Sequence, residues 1–158
     1  MTFITRFLIT KKKKNYTNWK KGLYPTLNHA KTAFANSELY VGYEDEVCCG
    51  SAVFNQKQLT EYAEIPWTYS VDINEIFVIH TLVIRPSMKG AGKGKVFVEY
   101  AENLAREMKC KVMRHDTYEG NIPAIKLYLG MDYRIAGSAQ FFFMDLIQEK
   151  LVCFEKKL

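Results

Sequence analysis

At 158 residues, with 48% apolar and 25% charged content, the chain has the length and balance of one globular domain with a real core. Lys and Arg number 22 against 17 Asp and Glu, a net charge of +5, which suits an anionic partner: a nucleic acid, a membrane surface or a phosphate-rich cofactor. No apolar run approaches the roughly 20 residues of a membrane span, His29, His80 and His115 have no metal-ligand spacing, and Cys48, Cys49, Cys110 and Cys153 form no C-x-x-C, which reads as reduced thiols in a cytoplasmic protein.

In chain order, residues 2–9 are β-branched and aromatic and read as a first strand. A lysine run at 11–14 follows, and residues 1–25 as a whole look abbreviated or irregular. The first ten residues are too short for a signal peptide, and their basic run follows the apolar part instead of preceding it. Thr26 or Asn28 would cap a short helix over 27–34. Residues 39–43 and 47–55 form a hairpin around the turn Glu44-Asp45-Glu46. Residues 56–74 are polar with scattered aromatics and read as a loop or short helical turn. Residues 76–84, IFVIHTLVI, suit a buried central strand, which Pro86 ends for want of an N–H. Phe97, Val98, Ala101, Leu104, Ala105 and Met108 recur at helical spacing and predict a helix over 93–108. A strand over 111–117, a helix over 122–129 with Pro123 in its first turn, and strands over 133–137 and 140–155 complete the chain. Strand, loop, helix and strand in the second half imply a parallel crossover. With the hairpin before it, the fold class is α+β around a mixed, mostly antiparallel sheet, in a single domain over 1–158.

Between the central strand and its helix lies Lys89-Gly90-Ala91-Gly92-Lys93-Gly94. Glycines let a backbone turn tightly against a ligand, and the helix N-terminus adds unpaired N–H groups and a positive dipole end, together an anion site. A Walker loop requires glycine where Ser87 or Lys89 stands and a Ser or Thr after the lysine, and neither is present. A dinucleotide fingerprint would place its third glycine at Lys95.

Lys89-x-x-Gly92-x-Gly94 resembles the R/Q-x-x-G-x-G/A pyrophosphate loop of the GNAT acetyltransferases, and Leu82-Val83-Ile84-Arg85-Pro86 resembles that family's L-x-V-x-P strand end. A second motif, Asn121-x-x-Ala124-x-x-Leu127-Tyr128, matches its N-x-x-A-x-x-L-Y. The resemblance covers about 39–158. It implies a sheet that splays open between the strands at 76–84 and 111–117, with acetyl-CoA in the splay as co-substrate and no metal. By the same resemblance, backbone groups at Leu82, Val83 and Ile84 hold the pantetheine, and those of Lys89, Gly90, Ala91, Gly92, Lys93 and Gly94 hold the pyrophosphate. Asn121 caps the short helix and, with Ala124, borders the thioester arm. Tyr128 donates a proton to the leaving thiolate, or packs in the core. Asp132 stands where the family usually has glycine.

The base is open between Asp116, five residues before Asn121, and His80 on the central strand. Asp116 would equally serve as a cap of the following turn, and His80 as a satisfied sheet histidine. Trp19, Tyr24, Trp67, Tyr69 and His80 are candidates to line the acceptor side. No acidic cluster that would predict a polycationic substrate is visible in the sequence, so a small-molecule amine and a peptide amine both remain as acceptors. Many members of the family pair as homodimers through the last strands; Phe141-Phe142-Phe143 would serve that contact or a core strand. Two other classes stand beside the enzyme: a non-catalytic acyl-CoA sensor, and a basic nucleic-acid-binding module that uses the lysine runs.

Overall fold

The computed structural model describes residues 17, 19–143 and 147–158. The first strand expected at residues 2–9, and most of the segment 1–25, lie outside the described residues. The elements run α1 (Leu27–Ala35), β1 (Leu39–Glu44), β2 (Val47–Asn55), β3 (Ile76–Ile84), α2 (Lys93–Glu107), β4 (Val112–Tyr118), α3 (Ile122–Leu129), β5 (Arg134–Phe143) and β6 (Ile147–Lys157). Thr26 is the cap of α1, and its N–H donates to His29 Nδ1 at 3.0 Å. The six strands form one sheet in the order β1-β2-β3-β4-β6-β5. Among the described residues β3 and β4 are its one parallel pair, and the other four neighbouring pairs are antiparallel.

One expectation is corrected. No break separates 133–137 from 140–155: β5 runs unbroken through Gly137 to Phe143, with a bulge between Ile135 and Gly137, and the chain returns as β6 from Ile147. Gly137 is there for close packing, not for a turn, since a Cβ on it would meet Pro66 Cδ at 3.0 Å.

Alternation along β3 builds a core on each face of the sheet. Phe77 and Ile79 pack with Phe97, Val98, Ala101 and Ala105 of α2 and with Tyr128 of α3. Ile76 and Val78 face the other way, toward Tyr62, Ile65, Phe141, Leu151 and Cys153. The first core brings α2 so close to β2 that a Cβ on Gly50 would lie 2.6 Å from the Val83 carbonyl oxygen and 2.9 Å from Phe97. Val83 belongs to the strand paired with β2 and cannot retreat without breaking the ladder. Gly50→Ala is therefore expected to cost about 2 kcal/mol of unfolding free energy, read from urea midpoints.

Two irregularities in β3 shape the site. Ser51 pairs with Val83 but Val53 pairs with His80, so β3 carries one extra residue between them. That residue is Thr81, at φ 49, a left-handed conformation that a β-branched side chain adopts only under strain. At the same level the parallel ladder stops: it joins Ile76–Ile79 to 112–115 and goes no further, while β4 stays paired with β6 through Tyr118. The bulge turns the second half of β3 away from β4, and the sheet opens there.

Candidate active site

One wall of the opening is the edge of β3 from His80 to Ile84, past the last rung to β4. Its far end leads through a short turn, Pro86–Met88, into the glycine loop. Gly90 and Gly92 adopt φ 82 and 73, and among the described residues a Cβ on either would meet nothing within 4 Å, which leaves open space on that side of the loop. Gly92 is the N-cap of α2; it offers no side-chain cap, and the first turn carries no acidic residue. Lysines occupy Lys93 and Lys95 instead, against the usual preference of a helix N-terminus for negative charge. This violation of a local rule suits an anion arriving from outside. Lys93 pairs with Glu44 of β1, which leaves its backbone N–H as its contribution to the loop. Gly94 lets α2 lie against α3, since a Cβ there would touch Leu127 at 3.1 Å.

The other wall is β4 and α3. Asn121 is the N-cap of α3: its Oδ1 accepts from the Ala124 N–H at 3.4 Å and its Nδ2 donates to Thr117 Oγ1 at 2.9 Å. Tyr128 is buried at 4% exposure, its ring 3.9 Å from that of His115. Burial, then the charge of Asp116, holds its phenol above its ordinary pKa, so it remains protonated at neutral pH. Asp132 has φ 64, so the aspartate at the glycine position takes up the left-handed turn.

Asp116 faces the opposite side of β4 from His115. Its Oδ2 accepts from the Tyr62 hydroxyl at 2.8 Å. Burial pushes its pKa up to about 6; Glu149 and Glu61 push the same way, and the Tyr62 hydrogen bond opposes them. The carboxylate is thus charged at neutral pH yet far more basic than an exposed aspartate. Tyr24 reaches the same region. Its hydroxyl lies 3.5 Å from Thr81 Oγ1, Trp19 packs edge-on at 6.0 Å, and Asp116 and Glu149 both act on its phenol.

Other sequence candidates are placed differently. His80 Nε2 lies 2.9 Å from Asn55 Oδ1 and 3.1 Å from the Lys57 carbonyl. Both partners are acceptors, so this nitrogen carries the proton, and burial keeps the ring neutral. Trp67 supports a loop: its Nε1 donates to the Tyr62 carbonyl at 2.8 Å and its ring lies 4.3 Å beneath the Arg114 guanidinium. Sequence reasoning missed three groups here: Tyr62, Glu149 and His115. No spacing signal could have found Tyr62, which lies 54 residues from Asp116. Strand alternation does place Glu149 on the inner face of β6, with Leu151 and Cys153.

Comparison with known proteins identifies the family and the fold. The sequence profile described as the acetyltransferase (GNAT) family matches residues 8–133. Among curated proteins, none matches this sequence. Among solved structures, a candidate acetyltransferase of Staphylococcus aureus Mu50 is 25% identical with a TM-score of 0.66, over 85% of this chain and 81% of that one. A GNAT-family acetyltransferase of Streptococcus agalactiae 2603 is 20% identical with a TM-score of 0.72, over 88% and 76%. A Bacillus subtilis acetyltransferase solved with CoA is 15% identical with a TM-score of 0.63, over 85% and 86%.

Proposed function

The chain belongs to the GNAT acetyltransferase family, and from that premise we propose that it transfers the acetyl group of acetyl-CoA directly to the nitrogen of an amine, on a small molecule or a peptide. The observation that carries this is the end of the parallel ladder at Ile79 and His115. Past that point β3 and β4 share no rungs, the glycine loop follows the end of β3, and we read Asp116 and Tyr128 as bordering this gap. Bound acetyl-CoA supplies an electrophilic thioester carbonyl and a thiolate leaving group.

The chain's own residues do the rest. The free edge of β3 at Leu82, Val83 and Ile84 offers backbone groups to the pantetheine amides. The N–H groups of Lys89, Gly90, Ala91, Gly92, Lys93 and Gly94, with the α2 dipole, hold the pyrophosphate. Asn121 and Ala124 border the acyl arm. Asp116 takes a proton from the attacking amine, a task that its raised pKa suits. The Tyr128 phenol gives one to the departing sulfur. Trp19 and Tyr24 line the acceptor's approach; His80 and Trp67, occupied by protein partners, shape the wall behind it. The free thiols fit a cytoplasmic location. Ile135 and Phe142, exposed on the edge strand β5, fit pairing of two copies.

Thermal unfolding with acetyl-CoA, with CoA and with ATP tests the binding half. At about 100 times its Kd, acetyl-CoA stabilises the native state by ~2.7 kcal/mol. CoA acts likewise and ATP does not. No shift at saturating acetyl-CoA overturns the proposal. Release of CoA thiol is then followed over a panel of amines and peptides, with Tyr128→Phe as the blank. A shift without turnover of any amine favours the acyl-CoA sensor.

A further inference from the structure

The segment between β2 and β3, residues 56–75, is held far more firmly than a surface connection requires. Arg114 of β4 donates from Nη1 to Gln58 Oε1 at 2.6 Å and from Nη2 to the Tyr69 carbonyl at 3.0 Å. Glu155 of β6, fully buried, accepts from the backbone N–H of Thr68 at 2.8 Å and of Tyr69 at 3.4 Å, and pairs with Arg134 at 3.3 Å. Trp67 lies under the Arg114 guanidinium and donates to the carbonyl of Tyr62. Burying a guanidinium and a carboxylate is costly unless each is well paired. Here the pairing is spent on fixing one short loop, and the residue that the loop delivers to the sheet is Tyr62, 2% exposed, whose hydroxyl donates to Asp116.

We propose that Tyr62 is a positioning residue for Asp116: its hydroxyl holds the carboxylate at the opening of the sheet and sets the pH at which that carboxylate becomes available as a base. The proposal deepens the functional reading above and rests on its assignment of Asp116. A phenol that donates to a carboxylate favours the charged form. It acts here against burial and against Glu149 of β6 and Glu61 of the loop. The remaining titratable groups around Asp116 are Tyr128 of α3, Cys153 of β6 and Tyr24, each raised in part by its charge. All three stay neutral at the pH where Asp116 titrates, so Tyr62 is the group that supplies the opposing pull. It also occupies one oxygen of the carboxylate and leaves the other for the acceptor.

The test is a carbon-13 NMR titration of the aspartate carboxyl groups in the full chain, with the Asp116 signal identified by its loss in Asp116→Asn. In Tyr62→Phe the Asp116 midpoint is expected to rise by about one pH unit, the effect of losing one hydrogen bond to a charged group. Replacing Tyr62 with 3-fluorotyrosine, nearly isosteric and a stronger donor, is expected to lower it. A group that only fills space moves the midpoint in neither. An unchanged midpoint in both variants overturns the proposal, and the fluorinated chain keeps the test sound if Tyr62→Phe fails to fold. Turnover of an amine from the panel separates the two claims. If Asp116→Asn keeps full turnover, the base role falls while the Tyr62 coupling stands on the titration. If Asp116→Asn loses turnover but the midpoint does not respond to residue 62, the base role stands and Tyr62 is only packing.

Discussion

Asp116→Asn is expected to make the protein more stable and less active. At about pH 7.5 the substitution adds about 2–3 kcal/mol of unfolding free energy and lowers turnover ~100- to 10,000-fold. The folded-state pKa of Asp116 is raised from 3.8 to about 6. A carboxyl group raised on folding contributes most to stability below its unfolded pKa and loses that contribution as pH rises through the folded value. Above pH 6 the wild type therefore carries a half-buried, desolvated charge that costs about 3 kcal/mol at most. Asparagine keeps an oxygen to accept from Tyr62 and removes the charge. Urea midpoints in acid and at neutral pH check the sign: the gain is expected to fade as pH falls from 6 toward 3.8. A structural cap would behave oppositely, losing stability on substitution and leaving turnover in place. Function bought at the expense of stability is the pattern expected of a working side chain, not a packing one.

The sequence carried most of the frame. The bounds of β2, β3 and α3 are legible because a change of periodicity, Pro86 and Asn121 mark their ends. Asn121 was legible as a cap, and Asp132 as a residue able to turn left-handed, since both roles depend on local backbone chemistry. What was hidden is long-range. The Thr81 bulge is a register mismatch between two strands and leaves no trace in either alone. The coupling of Tyr62 to Asp116 depends on a loop that reads as merely polar until Arg114 and Glu155 are seen to fasten it. The run of β5 through Gly137 is likewise hidden, since only the approach of Pro66 explains a glycine in mid-strand.

His115 sets the second large effect. Its ring is wholly buried against Tyr128, Tyr133 and Phe154, and among the described residues neither ring nitrogen has a hydrogen-bond partner. Burial holds its pKa down from 6.5 to about 3. Here the unfolded chain binds the proton more readily, so stability is lost as pH falls below 6.5 and continues to fall until about 3. At about pH 5 the loss is ~2 kcal/mol. In the wild type it is partly masked, since Asp116 regains stability over much of the same interval. Asp116→Asn removes the mask, and its stability is expected to fall steadily below pH 6.5. Adding His115→Phe is expected to flatten that fall, whatever the aromatic exchange does to stability at neutral pH. Half-buried carboxylates such as Glu75, paired with Lys111, lose their partners equally in every variant and cancel in the comparison. Parallel acid limbs with and without His115 would show that the ring is not the group responsible.

The short parallel ladder also has a mechanical consequence. β1, β2 and β3 form one plate and β4, β6 and β5 another, and among the described residues the ladder between the plates runs from Ile76 to Ile79. Each plate is closed by antiparallel rungs along its length, whereas the ladder of the seam spans four residue pairs. A molecule seated in the notch touches both plates beyond the point where the rungs end and acts as a missing length of seam. Acetyl-CoA bound as proposed would thus tie the two plates together past the last rung at Ile79 and His115.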